Sequence, residues 1–457
     1  MKKSILLALV VLLAVPMAFS SIITNTNQSI GFYRMLARFA SLETDAVYYN
    51  PAGLTKLADG FHLALNNQTI RQDKTIINGF TYLNTDKYVG EVRIPFFPTF
   101  YAVYKKGSLA VSFGFNPIGG GGSADFAGSL PSFETTYSTL PLVLSGYGIP
   151  TTDYSTEAAF NGSSIYYGLQ FNVSYAINDM FSVAAGLRYV MASNSYEGSL
   201  LNLQLNPYLP ALGWTGSPQS ATQVFTALGT YVNPAFMAYV PLLADKYVEA
   251  KQKGSGITPI FSFMATPIEG LVLTVRYEFN TKLELTNETT KDDVGLFPDG
   301  EKFRADIPAT LAFGASYAIL PQLRAHFSVN TDFDKNADWG GREDFVSKNT
   351  LEWAIGLEYD LFESLTLSAG YLTSTYGVED GFQSDMDFAL SATTIGAGAK
   401  WRLSDSLSVE GGLISVNYKD YDKLIPYYLG ASPLGSFHET YKQTTFGFGF
   451  AVNYSFQ

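Results

Sequence analysis

The sequence predicts an all-β fold, a transmembrane antiparallel β-barrel of about fourteen strands with an N-terminal plug in its lumen. Three observations carry this expectation. Apolar residues recur with a period of two: in 165–175, Ile165, Tyr167, Leu169, Phe171, Val173 and Tyr175 share one face and Tyr166, Gly168, Gln170, Asn172 and Ser174 the other. Connections between such segments alternate between short and long. Aromatic residues gather just before the short turns, where membrane barrels carry an interfacial girdle.

Composition agrees. The chain has 457 residues, 47% hydrophobic, 15% aromatic and 15% charged, with 30 Tyr and 34 Phe. Disordered chains show the reverse balance. With no Cys, it is neither a disulfide scaffold nor a thiolate metal protein. A net charge of −12 argues against nucleic acid, which requires a basic footprint.

Taken in order, residues 1–20 read as a signal peptide: Lys2 and Lys3, an apolar run over 5–15, Pro16, then small residues at Ala18 and Ser20. Residues 21–58 do not alternate and include a helical stretch around 30–39. About forty residues ahead of a wide barrel suit a plug, since an open lumen leaks. Residues 59–457 form the barrel, opening with a strand over 61–68. Short turns are expected at 105–108, 176–179, 266–270, 318–322, 361–364 and 402–406. Long loops alternate with them at 71–95, 117–163, 198–255, 285–303, 333–348, 373–386 and 418–441. Tyr104, Tyr175, Tyr317, Tyr359 and Trp401 each precede a short turn on the apolar face. A soluble sandwich also alternates, but would not place its rings at turn ends.

Asp45-Ala46-Val47-Tyr48-Tyr49-Asn50-Pro51-Ala52-Gly53-Leu54, followed by an alternating first strand, resembles the hatch of the FadL/TodX family of outer-membrane long-chain fatty-acid and hydrophobic-compound transporters. With about fourteen strands, the resemblance covers essentially the mature chain. Asn-Pro-Ala alone is not specific, because Asn233-Pro234-Ala235 repeats it. The sequence departs from the family pattern in two places: Phe32-Tyr33-Arg34-Met35-Leu36-Ala37-Arg38-Phe39 replaces a Gly/Ala-rich run, and Gln457 follows Phe456 where the family pattern has a final aromatic. The resemblance implies passive import of hydrophobic molecules, fatty acids or aromatic hydrocarbons, across a bacterial outer membrane. Asn50, Pro51 and Ala52 would sit in the hatch, and substrate would be released sideways into the membrane.

The long loops 117–163 and 198–255 carry apolar runs. Asn233 and Pro234 read as N-cap and first position of a helix on which Phe236, Val240, Leu243 and Tyr247 form one stripe, kinked at Pro241. By composition such stripes favour loops packed on each other; the resemblance favours capture of ligand, with Phe225, Phe236, Val240 and Leu243 in contact. In the third strand, Pro117 and the glycines from Gly119 should interrupt pairing. The plain reading is a strand end; the resemblance makes it a lateral opening. Inward-facing Arg188, Arg276, Arg324, Lys400 and Arg402 should form ion-pair ladders with Glu278, Glu352, Glu358 and Glu410. One cation, Arg188 by our choice, could anchor a carboxylate.

Catalysis is not expected. His62 and His326 point inward, and no acid partner is recognisable for His438, near Ser436. Asp332, Asp334, Asn336, Asp338 and Glu343 have calcium-loop spacing, but Ala337 stands where the turn needs Gly, so a solvated acidic loop is expected. No metal and no cofactor are predicted. The expected protein is a monomer in contact with outer-membrane lipid; the alternative is a structural or adhesive barrel whose loops bind a protein.

Overall fold

Alternating side chains place one set on each face of a strand, and a sheet that closes on itself turns one face to its interior. The computed structural model describes residues 26–126, 128–429 and 432–456, so the leader expected over 1–20 lies outside the described residues. Fourteen antiparallel strands form a closed barrel. The first five are β1 (Gly60–Asn78), β2 (Lys87–Lys106), β3 (Leu109–Phe126), β4 (Tyr154–Ala176) and β5 (Phe181–Leu205). Next come β6 (Lys246–Ala265), β7 (Leu271–Glu278, continued as Glu284–Asp292) and β8 (Lys302–Arg304, then Thr310–Leu320). β9 (Leu323–Asp332), β10 (Val346–Phe362), β11 (Leu365–Val378) and β12 (Ala392–Arg402) follow. β13 (Leu407–Tyr418, extended by Tyr421–Leu429) and β14 (Ser432–Phe456) complete the ring, which closes where Phe61 of β1 pairs with Phe456 of β14.

The outer surface is apolar. Phe450 is 69% exposed while its neighbour Ala451, facing inward, is 3% exposed. Tyr104, Tyr175, Tyr317, Tyr359 and Trp401 all point outward beside the short turns. Exposed to water, such a belt would be unstable; against lipid it is the surface a membrane barrel requires.

Strands reach 25 residues in β5 and β14. At about 3.3 Å per residue they are longer than a bilayer about 30 Å thick needs, even tilted. The excess rises at the end opposite the short turns, and it corrects the expected loops. Most of 71–95 and 418–441 is strand, and the strands shorten 117–163 to 127–153 and 198–255 to 206–245. Two short helices, α3 (Pro131–Ser138) and α4 (Leu140–Gly146), lie in the first of these, and α5 (Ala221–Tyr231) in the second. Two more, α1 (Ile30–Arg34) and α2 (Ala46–Tyr49), precede the barrel. The helix expected over 30–39 therefore stops at Arg34. None of these helices is long and apolar enough to cross a membrane.

Candidate functional site

Residues 28–57 lie inside the ring. Ser29 caps α1, accepting from the Phe32 backbone N–H at 3.0 Å. Asp45 gathers the segment, accepting from Ser29 Oγ (2.7 Å), Ser41 Oγ (2.7 Å) and Arg38 Nε (2.8 Å). Pro51 opens a 3-10 turn (Pro51–Lys56), its fixed φ suiting that position. The Asn50 amide donates to Ser41 O at 3.0 Å, and Ser262 of β6 reaches both Asn50 Oδ1 and the Ala52 N–H at 3.3 Å. Ser174 of β4 donates to Pro51 O at 2.7 Å. Asn50, Pro51 and Ala52 are thus brought together against the wall.

The other side of the ring holds the segment through charge. Arg34, fully buried, donates to Glu410 of β13 (2.6 Å), Glu358 of β10 (3.1 Å) and Ser368 of β11 (2.5 Å). Glu43 pairs with Lys400 of β12 at 2.5 Å and with Arg38. Buried charges are tolerable only when paired in this way. The expected wall-to-wall ladders are present in part: Arg324 pairs with Glu358 at 3.5 Å, and Arg188 and Arg276 with Glu278. But Glu358 and Glu410 also bind Arg34 of the N-terminal segment, and Lys400 binds Glu43. Inward glycines give the backbone room. A Cβ on Gly370 would stand 2.6 Å from Leu36 N, and one on Gly396 2.4 Å from Tyr33 O.

Arg188 lies 2.7 Å from Glu278, donates to Gln170 at 2.6 and 3.0 Å, and sits 5.0 Å above the Tyr48 ring. Arg276 shares Glu278 at 3.2 Å and also lies over Tyr48. A ligand carboxylate at Arg188 would have to compete with Glu278.

The third strand does not end at Pro117. It runs to Phe126, paired with β4 throughout despite shifts at Pro117/Gly119 and Gly119/Gly122. Its pairing with β2 stops after Phe100↔Phe115 and resumes at Val92↔Ala124. Pro95 and Pro98 deprive the facing stretch of β2 of donors. Gly120 has φ +85°, and a Cβ there would lie 2.2 Å from Ser164 O. Only glycine fits that bend. Phe96, 77% exposed, marks the outer side of the gap. Behind it stands Gln28, which donates to Pro117 O (2.9 Å) and accepts from Asn116 (3.1 Å), while Tyr101 OH donates to Gln28 O (2.8 Å).

Above the membrane, Phe225 and Phe236 are buried against each other, ring centroids 5.6 Å apart, and Tyr147 meets Phe236 at 5.2 Å. With Leu243, Leu140, Leu144 and Leu205 they form one cluster joining the two long loops. The expected α-helix is a 3-10 helix (Pro234–Leu242), capped by Asn233. Its period of three buries Phe236 and Tyr239, leaves Val240 half-buried, and ends before Tyr247, which belongs to β6. Burial holds the Glu134 carboxyl of α3 above its ordinary value while it accepts from Tyr154 OH at 2.9 Å.

The calcium-loop residues point elsewhere. Asp334 is buried and accepts from the Thr350 N–H at 2.7 Å, while Glu343 accepts from the N–H groups of Trp339 and Gly341. Asp332 is buried as well, so this loop is only partly the solvated one expected. An acid partner for His438 does exist: Asp422 Oδ2, 2.6 Å away on an exposed hairpin. His62 bonds Ser455 and Ala58 O, and His326 lies 3.1 Å from Glu358.

The sequence reading missed Gln28, Arg34, Arg38, Glu43 and Asp45. Its available signal was two arginines and two acids in a segment otherwise too apolar for solvent.

No family model and no curated protein matches the chain. Solved structures do. A Pseudomonas aeruginosa FadL homologue aligns with a TM-score of 0.64 at 14% identity, covering 96% of this chain and 100% of that one. The Ralstonia pickettii toluene transporter TbuX aligns with 0.53 at 17% identity, covering 91% and 94%. The Pseudomonas putida toluene transporter TodX gives 0.55 at 14%, covering 96% and 97%. The chain therefore has the fold of these proteins, a closed antiparallel barrel of fourteen strands.

Proposed function

We propose that the chain is a passive outer-membrane transporter that imports hydrophobic molecules, aromatic hydrocarbons or long-chain fatty acids, as a single copy of the chain. The observation that carries this reading is the break in the β2–β3 register between Phe100↔Phe115 and Val92↔Ala124, where Pro117, Gly119 and Phe96 lie between an apolar outer belt and the N-terminal segment. A molecule that prefers acyl chains to water gains by leaving sideways there. On this reading residues 28–57 are the plug, tied to the gap by Gln28. The toluene transporters with the same fold favour apolar cargo. Phe225, Phe236 and Leu243 form the floor of the loop cluster, with Val240 at its edge.

The test is uptake and saturable binding of radiolabelled toluene and oleate, comparing the native chain with Gly119→Trp, which fills the gap. The expected result is saturable binding by both proteins and uptake lowered at least about tenfold in the variant. Unchanged uptake in the variant would end the lateral route. Absence of binding and uptake for both ligands would end the transport reading in favour of an adhesive barrel.

A further inference from the structure

The loop between β11 and β12, residues 379–391, does not stay at the rim. Ordinary loops run over the surface and are polar. This one carries Phe388 and Leu390, both buried, and half-buried Met386. They share one buried cluster with inward-facing side chains of the wall: Ile76 of β1, Tyr88 of β2, Phe126 of β3, Phe160 of β4, Tyr196 of β5 and Tyr441 of β14. Phe388 lies 5.0 Å from the Tyr441 ring and beneath Lys74 Nζ at 5.3 Å. Met386 also packs against the pair formed by Ala250 of β6 and Phe297 of the loop between β7 and β8. The loop thus crosses the mouth of the barrel, far above the plug.

Polar ties anchor both its ends, where Glu379 N–H donates to Phe345 O (2.9 Å), Tyr421 OH to Asp380 (2.8 Å) and Lys419 N–H to Ser391 O (2.8 Å), and also hold its middle. At its tip Asp385 accepts from the Ser132 N–H of α3 at 2.7 Å. Arg342 lies 2.6 Å from Asp387, donates to Phe382 O at 2.6 Å and covers the Phe382 ring at 4.1 Å. Lys423 donates to Gln383 O at 2.8 Å.

Resting on the transport reading above, we propose that residues 379–391 are a lid that hydrophobic cargo displaces. The collar of Ile76, Tyr88, Phe126, Phe160, Tyr196 and Tyr441 is then a binding site for apolar, preferably aromatic, molecules. A collar of rings with one flexible thioether is the lining such ligands take. Phe388 and a ligand cannot occupy it together, so a ligand binds the undocked state better and shifts the population towards it. The plug below need not move for this first step.

A chain without cysteine allows a clean lock. The paired variant Ser132→Cys, Asp385→Cys, oxidised and reduced, is compared with each single variant for uptake of labelled toluene and oleate, with the crosslink verified by mass. The expected result is at least a tenfold loss of uptake when oxidised, regained on reduction. Uptake within twofold of the reduced form would overturn the lid. Arg342→Ala, which loosens the loop without a crosslink, should raise uptake at subsaturating ligand severalfold; unchanged or lower uptake would count against the lid in the same way. If the native chain takes up neither ligand, it is the transport reading that fails, and the lock is then read through binding to purified protein: saturable toluene binding present when reduced and lost when oxidised keeps the collar site, and equal binding in the two forms, or none, overturns it.

Discussion

The two segments inside this barrel are held by different forces. The N-terminal one is pinned by charge: Arg34 reaches Glu358 and Glu410, Glu43 reaches Lys400, and Asp45 collects Ser29, Ser41 and Arg38. The 379–391 loop is seated through apolar groups, with Phe388 and Leu390 buried, and its polar ties include hydrogen bonds to neighbouring loops and strand ends. A buried ion pair is costly to break, because one partner is left charged and dry. An apolar contact can be replaced by any other apolar surface, including a ligand. On the readings proposed above, the first segment stays until its charges are rearranged and the second is displaced by apolar cargo.

The largest expected effect breaks the first side of that comparison. Arg34→Met leaves Glu358 and Glu410 without their main cation and should loosen residues 30–50 by about 3–5 kcal/mol, read as faster hydrogen exchange there and not in 379–391. Adding Glu358→Leu and Glu410→Leu should restore most of the protection, since a charge-free site is often no less stable. A smaller effect is expected from Phe388→Ala: about 2 kcal/mol weaker docking of the loop, below the range for a sealed core because water can refill the mouth. Exchange should rise over 379–391 and leave 30–50 unchanged.

The smallest effect sharpens the contrast through pH. Burial, then the neighbouring carboxylate, raises Glu439, and burial raises Asp385. Both lie above the membrane, facing Lys423, Asp380, Arg342 and the Tyr441 hydroxyl; Asp387 stands further along the loop, near Lys74 of β1. Acids whose values rise on docking bind more protons docked than free. Docking is therefore favoured at low pH and weakens as pH rises through their raised values. Exchange over 379–391 should increase from pH 5 to pH 8 by about 1 kcal/mol at most, with Lys423 offsetting part of it. A pH-independent loop, or one that tightens at pH 8, would mean the acids play no part in holding it.

Much of the barrel was legible because a strand's period is short and local. Phe446, Phe448 and Phe450 alternate with Gly447, Gly449 and Ala451 whatever surrounds them, and bilayer thickness sets a minimum length. Strand ends were not legible. Above the membrane the alternation of an apolar outer face with a polar inner one lapses, and inward positions such as Ile76, Tyr88 and Tyr441 are themselves apolar or aromatic, so 71–95 and 418–441 read as loops although most of each is strand. Pro117 shows the same limit: the sequence marks lost pairing, but only the ring shows that the loss is towards β2 and not β4.

By itself, the sequence determined the all-β class, the approximate strand count, the outward aromatic girdle and a non-alternating segment ahead of the barrel, all from patterns within ten or so residues. Tertiary structure alone decided that Arg34 meets Glu358 and Glu410, more than three hundred residues away, that Phe225 and Phe236 are buried in a joint between two loops, and that Phe388 crosses the mouth to Tyr441. Those partners meet because closing the sheet brings opposite walls within reach of whatever enters the lumen. No local period encodes which residue that will be.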